Sequence, residues 1–268
     1  MSDETQIVLN RFGFQPPKLI TDMHTQVRDL EFDTPPLLSA AVTVGRAWDI
    51  MQEKGIGTLP VANEDGTLYG ILSRDHVAAY HMSLITESYL QEVPLFNVLS
   101  VLEGTILNEA GESTDSISGN VVIALPQSQD TLLWQDPDSI VICGHQPYMI
   151  RRALEMNVNC LVLCESELTE DLRNLPTKTC IISTPLDPVR TARYIYHAAP
   201  VERIGRTNDL ECFHLDDFLD DVREVVSKSR HRNYPILDEN NKIVGILTRY
   251  HLLRPRRKRI VLVDHNEA

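Results

Sequence analysis

Residues 60–80, PVANEDGTLYGILSRDHVAAY, recur as residues 235–255, PILDENNKIVGILTRYHLLRP, at an offset of 235 − 60 = 175 with no gap. Seven of the 21 positions are identical, among them Pro60/Pro235, Gly70/Gly245, Arg74/Arg249 and His76/His251. The exchanges Val61/Ile236, Leu68/Ile243 and Ser73/Thr248 keep size and polarity. Self-similarity of this kind sets the architecture before any other reading. Each copy reads as a short apolar strand after the proline and a turn of acidic and small residues at 63–66 or 238–241. A second strand follows and ends in Gly-Ile-Leu-(Ser/Thr)-Arg, where a helix starts.

An amphipathic helix precedes each copy. Thr43 is a suitable N-cap, and Val44, Ala47, Trp48 and Met51 follow at helical spacing. In the second copy Phe218, Leu219, Val222, Val225 and Val226 form the stripe, after Asp216 and Asp217 at the positive end of the helix. The order is helix–strand–strand–helix, twice. Residues 93–206 have another rhythm. Short buried-type strands at 121–125, 140–143, 160–164 and 180–183 alternate with helical stretches at 131–135, 149–157, 168–174 and 189–197, the pattern of βαβ units on a parallel sheet.

Gly57-Thr58-Leu59-Pro60-Val61 with Gly70-Ile71-Leu72-Ser73-Arg74, and Arg232-Asn233-Tyr234-Pro235-Ile236 with Gly245-Ile246-Leu247-Thr248-Arg249, each behind an amphipathic helix, resemble the CBS domain. Gly119-Asn120-Val121-Val122 and Ile142-Cys143-Gly144-His145 resemble the landmarks of a DRTGG domain, with the namesake motif degenerate. The resemblance implies an α/β fold: a tandem CBS pair, or Bateman module, with an inserted α/β DRTGG domain. It divides the chain into an N-terminal segment 1–34, a first CBS motif 35–92, the insert 93–206, a second CBS motif 207–254 and a terminal segment 255–268. It also implies adenosine nucleotides in the clefts between the motifs.

Composition bounds the function classes. The 268 residues carry a formal charge of −13, which excludes nucleic acid as a general partner but leaves room for a small phosphate ligand met by local cations. The apolar runs are too short to span a bilayer and the N-terminus has no signal-peptide core, so the expected location is cytoplasmic with no membrane partner. The five cysteines form no C-x-x-C pair and read as buried, reduced thiols.

The nucleotide-site residues implied by the resemblance are Thr58, Val61, Ser73, Arg74, Asn233, Tyr234, Pro235, Thr248, Arg249 and His251. A phosphate favours the unpaired N–H groups and dipole at a helix start, where Ser73 and Thr248 offer hydroxyls and Arg74 and Arg249 cations. The bland alternative is N-capping with solvated arginines. Many CBS domains place a ribose-binding Asp three residues beyond the Ser/Thr, whereas this chain has His76 and His251, which also read as half-buried helix residues. Tyr234 is read as stacking on adenine with its hydroxyl wet, against the alternative of a core tyrosine at an interface. The first copy has no aromatic there, so the two clefts are expected to differ.

The last ten residues, RIVLVDHNEA, run an apolar strand into Asp264-His265-Asn266-Glu267. This resembles a metal-binding motif of the family II inorganic pyrophosphatases of the DHH phosphoesterase superfamily, in which such an Asp binds manganese or cobalt. The earlier His-x-x-Pro-Asp-x-Asp motif of that family is absent from the chain. A two-metal hydrolase needs several converging ligands. The implied reading is therefore a regulatory region of a CBS-containing pyrophosphatase, with no catalytic residues or cofactor of its own. The resemblance implies that Asp264 and a manganese or cobalt ion belong to the parent enzyme, with AMP and ADP as inhibitors and ATP or diadenosine polyphosphates as activators. The cations Arg254 and Arg256–259 read as a linker rather than a nucleic-acid patch. The rivals are a structural dimerisation module with empty clefts and an independent enzyme in the insert. Self-association as a homodimer is expected from apolar helix faces.

Overall fold

The computed structural model describes residues 3–14, 24–86, 88–124, 136–173 and 176–253. The expected helix at 131–135, the basic run, and Asp264 lie outside them.

After helix α1 (Asp3–Arg11), the first repeat unit comprises β1 (Leu38–Ser39), α2 (Val44–Lys54), β2 (Thr58–Ala62), β3 (Leu68–Ser73) and α3 (Arg74–Ser83). The insert follows as β4 (Tyr89–Pro94), α4 (Leu95–Leu102), β5 (Thr105–Ile106), α5 (Glu109–Glu112), β6 (Ser116–Ile123), β7 (Ser139–Cys143), α6 (Pro147–Met156), β8 (Cys160–Cys164), α7 (Glu170–Arg173), β9 (Cys180–Thr184) and α8 (Pro188–Tyr194). The second unit is β10 (Phe213–His214), α9 (Leu219–Lys228), β11 (Asn233–Leu237), β12 (Ile243–Thr248) and α10 (Arg249–Leu253).

The two units are built alike to the residue. Each has a three-stranded sheet, β1-β2-β3 or β10-β11-β12, with one parallel and one antiparallel pairing. Thr58 faces Ser73 across the first hairpin and Asn233 faces Thr248 across the second, and both hairpins bulge at matching positions, Val61/Ala62 and Ile236/Leu237. The left-handed turn position is Gly66 in one copy and Asn241 in the other, the two residue types that adopt it at least cost. The expected N-cap is present: the Thr43 side chain accepts from the Arg46 N–H. Phe218 is the residue before α9, and it and Val225 are exposed rather than core-facing.

A reciprocal exchange of linkers ties the pair together, and it moves material across the expected boundaries. Residues 24–33 pack on the second unit: Val27 and Leu30 are buried in its core, and Asp33 and Ile246 exchange both backbone hydrogen bonds. Residues 199–206 pack on the first unit: Ala199 and Val201 enter its core, and Arg206 and Ile71 exchange theirs. The repeated glycines exist for this contact. A Cβ at Gly70 would stand 2.6 Å from the Arg206 carbonyl oxygen, and one at Gly245 2.5 Å from the Phe32 ring and 2.7 Å from the Asp33 carbonyl oxygen. We expect Gly70→Ala and Gly245→Ala each to lower stability by about 1–3 kcal/mol, as overpacking does. Urea unfolding checks this, with Gly57→Ala as the control because its Cβ would meet nothing within 4 Å.

The insert is a six-stranded sheet in the order β4-β6-β7-β8-β9-β5. β6 to β9 are parallel, as expected, and the antiparallel edges β4 and β5 and the helix α4 were not anticipated. Side chains alternate between two cores. Ile140, Ile142, Val162 and Ile182 face α4 and the segment after α8, while Val141, Leu161, Leu163 and Ile181 face α6. Cover on both faces explains why these strands read as unbroken apolar runs. The expected helix at 168–174 is a single turn, α7. Cys143, Cys160, Cys164 and Cys180 are buried free thiols on this sheet, and burial pushes Cys143 up to about 12. Among the described residues no helix is long and apolar enough to cross a membrane.

Candidate functional site

The two hairpins approach through a shared apolar cluster of Ile71, Leu237, Ile243 and Ile246. At their far ends opens a cleft of about 780 Å³. Because Thr58 is opposite Ser73 and Asn233 opposite Thr248, both helix starts are delivered to this one cleft. Thr58, Ser73, Arg74, Asn233, Thr248 and Arg249 all line it. The sequence anticipated two unequal clefts, but the structure brings both hydroxyl–arginine pairs into a single cavity.

The other four expected residues do not line it. Val61 is turned by the strand pleat into the core of the first unit, and Pro235 is buried within its strand. Tyr234 is 0% exposed; its ring lies 5.4 Å from that of Phe213 and its hydroxyl donates to the His231 carbonyl at 2.7 Å. The stacking face expected of Tyr234 is therefore spent on the core of the second unit. His251 serves its own helix: the Thr248 N–H donates to His251 Nδ1 at 3.1 Å, and Thr248 Oγ1 lies 3.0 Å from the same atom.

His76 does the same in the first unit. The Ser73 N–H donates to His76 Nδ1 at 3.3 Å while Ser73 Oγ accepts from the His76 N–H at 3.2 Å. Imidazole thus replaces the Glu or Gln of an ordinary capping box. Burial, then the nearby Arg206 charge, hold the His76 pKa below its ordinary value, which favours the neutral ring that can accept at Nδ1. The repeated histidine is a helix cap. Each arginine also grips the C-terminal end of its unit's preceding helix. Arg74 donates to the Met51 carbonyl at 3.4 Å, and Arg249 to the Ser229 and Val226 carbonyls at 2.6 and 3.5 Å. A guanidinium has five N–H donors, so both keep donors for a ligand.

Four charged lining residues stand outside the site expected from the sequence. Lys54 ends α2, Arg232 precedes Asn233, Asp75 opens α3, and Asp33 arrives on the exchanged linker with Thr34 and Pro35. Four cations, Lys54, Arg74, Arg232 and Arg249, therefore face two carboxylates in a chain of net charge −13. A cationic concavity on an acidic protein concentrates small anions. Among the described residues, no group of three or more His, Cys, Asp or Glu side chains could hold a metal ion.

Family comparisons agree with this geometry. The CBS domain family matches residues 27–83 and 201–257, and the DRTGG domain family matches residues 97–198. The chain is a tandem CBS pair with an inserted DRTGG domain. Over its whole length it is 30% identical to the cobalt-dependent inorganic pyrophosphatase of Clostridium perfringens and 24% identical to the probable manganese-dependent inorganic pyrophosphatase of Thermotoga maritima. It spans about half, 49%, of each of these relatives. Among solved structures it is similar to the CBS and DRTGG domains of the regulatory region of the C. perfringens pyrophosphatase, complexed with the activator diadenosine tetraphosphate. That match has a TM-score of 0.72 and 28% identity, and covers 84% of this chain and 99% of the other.

Proposed function

We propose that this chain is an adenine-nucleotide-binding regulatory region that controls an inorganic pyrophosphatase using manganese or cobalt. The observation that carries the reading is the convergence of Ser73 with Arg74 and Thr248 with Arg249 in one cationic cleft. Two anion-receiving ends in one cavity suit a polyphosphate chain, and the C. perfringens relative is described with an activator of that chemistry. In this reading AMP and ADP inhibit and ATP or diadenosine polyphosphates activate, each by preferring one of two states of the assembly. Trp48, Phe218 and Val225, left 38%, 39% and 42% exposed, support a second copy of the chain as partner in a homodimer.

Calorimetric titration of the 268-residue chain with AMP, ADP, ATP and diadenosine tetraphosphate tests the proposal. Saturable binding that weakens as salt rises is expected, because the cleft reads charge. Absence of binding by all four would leave the paired units as a purely structural dimerisation module.

A further inference from the structure

We propose that Asp33 is the residue that makes this cleft reject inorganic pyrophosphate and accept the same phosphates only when they carry a nucleoside. The inference rests on the nucleotide reading above and adds the discriminating group. Asp33 lines a cavity otherwise furnished for anions by Lys54, Arg74, Arg232 and Arg249. The second carboxylate there, Asp75, lies in the first turn of α3, where a negative charge complements the helix dipole. Asp33 has no such helical reason. It sits in an extended linker whose backbone is fixed by two hydrogen bonds to Ile246, 3.2 and 2.8 Å long. The position is therefore rigid, while the carboxylate itself remains 61% exposed, 3.6 Å from His251 Nε2.

A carboxylate has acceptor oxygens only, so it welcomes hydroxyl and amino groups and repels phosphate oxygens. Four cations draw any polyanion into the cleft, and a compact dianion or tetraanion would be held there were nothing set against it. One negative charge on a fixed backbone in the cavity lining sets the condition: the part of the ligand that reaches Asp33 must be neutral and rich in donors. A ribose diol meets that condition and a bare phosphate does not. Rejection by a placed like charge is a common route to specificity. It has particular use here. In the proposed function the substrate of the regulated enzyme is pyrophosphate, and a regulatory cleft open to it would confuse substrate with signal.

The test is titration of the 268-residue chain and its Asp33→Asn and Asp75→Asn variants with ADP, 2′,3′-dideoxy-ADP and pyrophosphate, after thermal melts show all three folded. The wild-type chain is expected to bind ADP and to bind pyrophosphate far more weakly. Asp33→Asn, nearly isosteric and neutral, should strengthen pyrophosphate binding by about tenfold or more, the scale of one relieved like-charge contact. It should also weaken ADP binding and erase the preference for ADP over its dideoxy analogue. Equal gains from Asp75→Asn would reduce the effect to general charge and overturn the assignment. So would unchanged selectivity in Asp33→Asn. A wild-type chain that binds neither ADP nor pyrophosphate refutes the nucleotide reading itself, a different result from binding without selectivity.

Discussion

Tyr234→Ala should destabilise the second repeat unit by about 3–5 kcal/mol, the range for removing a large aromatic side chain from a core. Tyr234 is fully buried among Val27, Phe213, Leu219, Ile236 and Leu247, residues from the exchanged linker, all three strands of the sheet and the start of α9. Removing the ring leaves a cavity that these elements cannot all close upon together. It also strands the His231 carbonyl, which now accepts from the tyrosine hydroxyl at 2.7 Å. Tyr234→Phe keeps the packing and removes only that hydrogen bond, so it should cost about 0.5–1.5 kcal/mol. Urea unfolding followed by far-UV circular dichroism separates the two variants. A Tyr234→Ala chain that unfolds with the wild type would show the ring free of the core and return it to the cleft as a stacking platform.

The misreading of Tyr234 is instructive because the repeat already held the correction. At the offset of 175 its counterpart is Leu59, which is also 0% exposed. An aromatic before a strand suits a stacking platform, whereas the repeat position of Tyr234 is that of a core side chain on the inward pleat of a strand. The repeat was informative wherever the structure is local. Both hairpins, their turns and the helix starts follow from turn residues and apolar runs, and the match holds to the register. It was silent on the linkers. Residues 24–33 and 199–206 are extended or in short turns, show no periodicity, and find their partners in the other unit. Their docking left one sequence trace, the glycines at 70 and 245, whose missing side chains make room for a backbone that only the folded pair supplies. Asp33 came into the cleft unseen for that reason. The edge strands β4 and β5 were missed because β5 has only two residues and β4 mixes apolar and charged ones.

The convergence of two helix starts in one cavity has a consequence for stoichiometry that a pair of separate clefts would not share. Arg74→Gln and Arg249→Gln should each weaken binding of diadenosine tetraphosphate by about 10–100-fold, since a hydrogen bond to a charged group contributes about 1.5–3 kcal/mol and 1.4 kcal/mol is tenfold. For one ligand bridging both arginines, the number of molecules bound per chain stays the same in each variant while the affinity falls. The double variant then loses binding by the product of the two factors. For two ligands held independently, each single variant would delete one binding event and leave the other at wild-type affinity. Arg249 also holds the Ser229 carbonyl at 2.6 Å, so part of its effect could enter through α9. Arg249→Lys resolves this, because lysine keeps the charge but lacks the planar fork that reaches two partners at once. If binding follows charge, Arg249→Lys recovers most of the affinity lost in Arg249→Gln, and the loss shrinks as salt is raised and the cleft is screened. Calorimetric traces that show two independent events in the wild type, one lost with each arginine, would divide the cavity into separate sites.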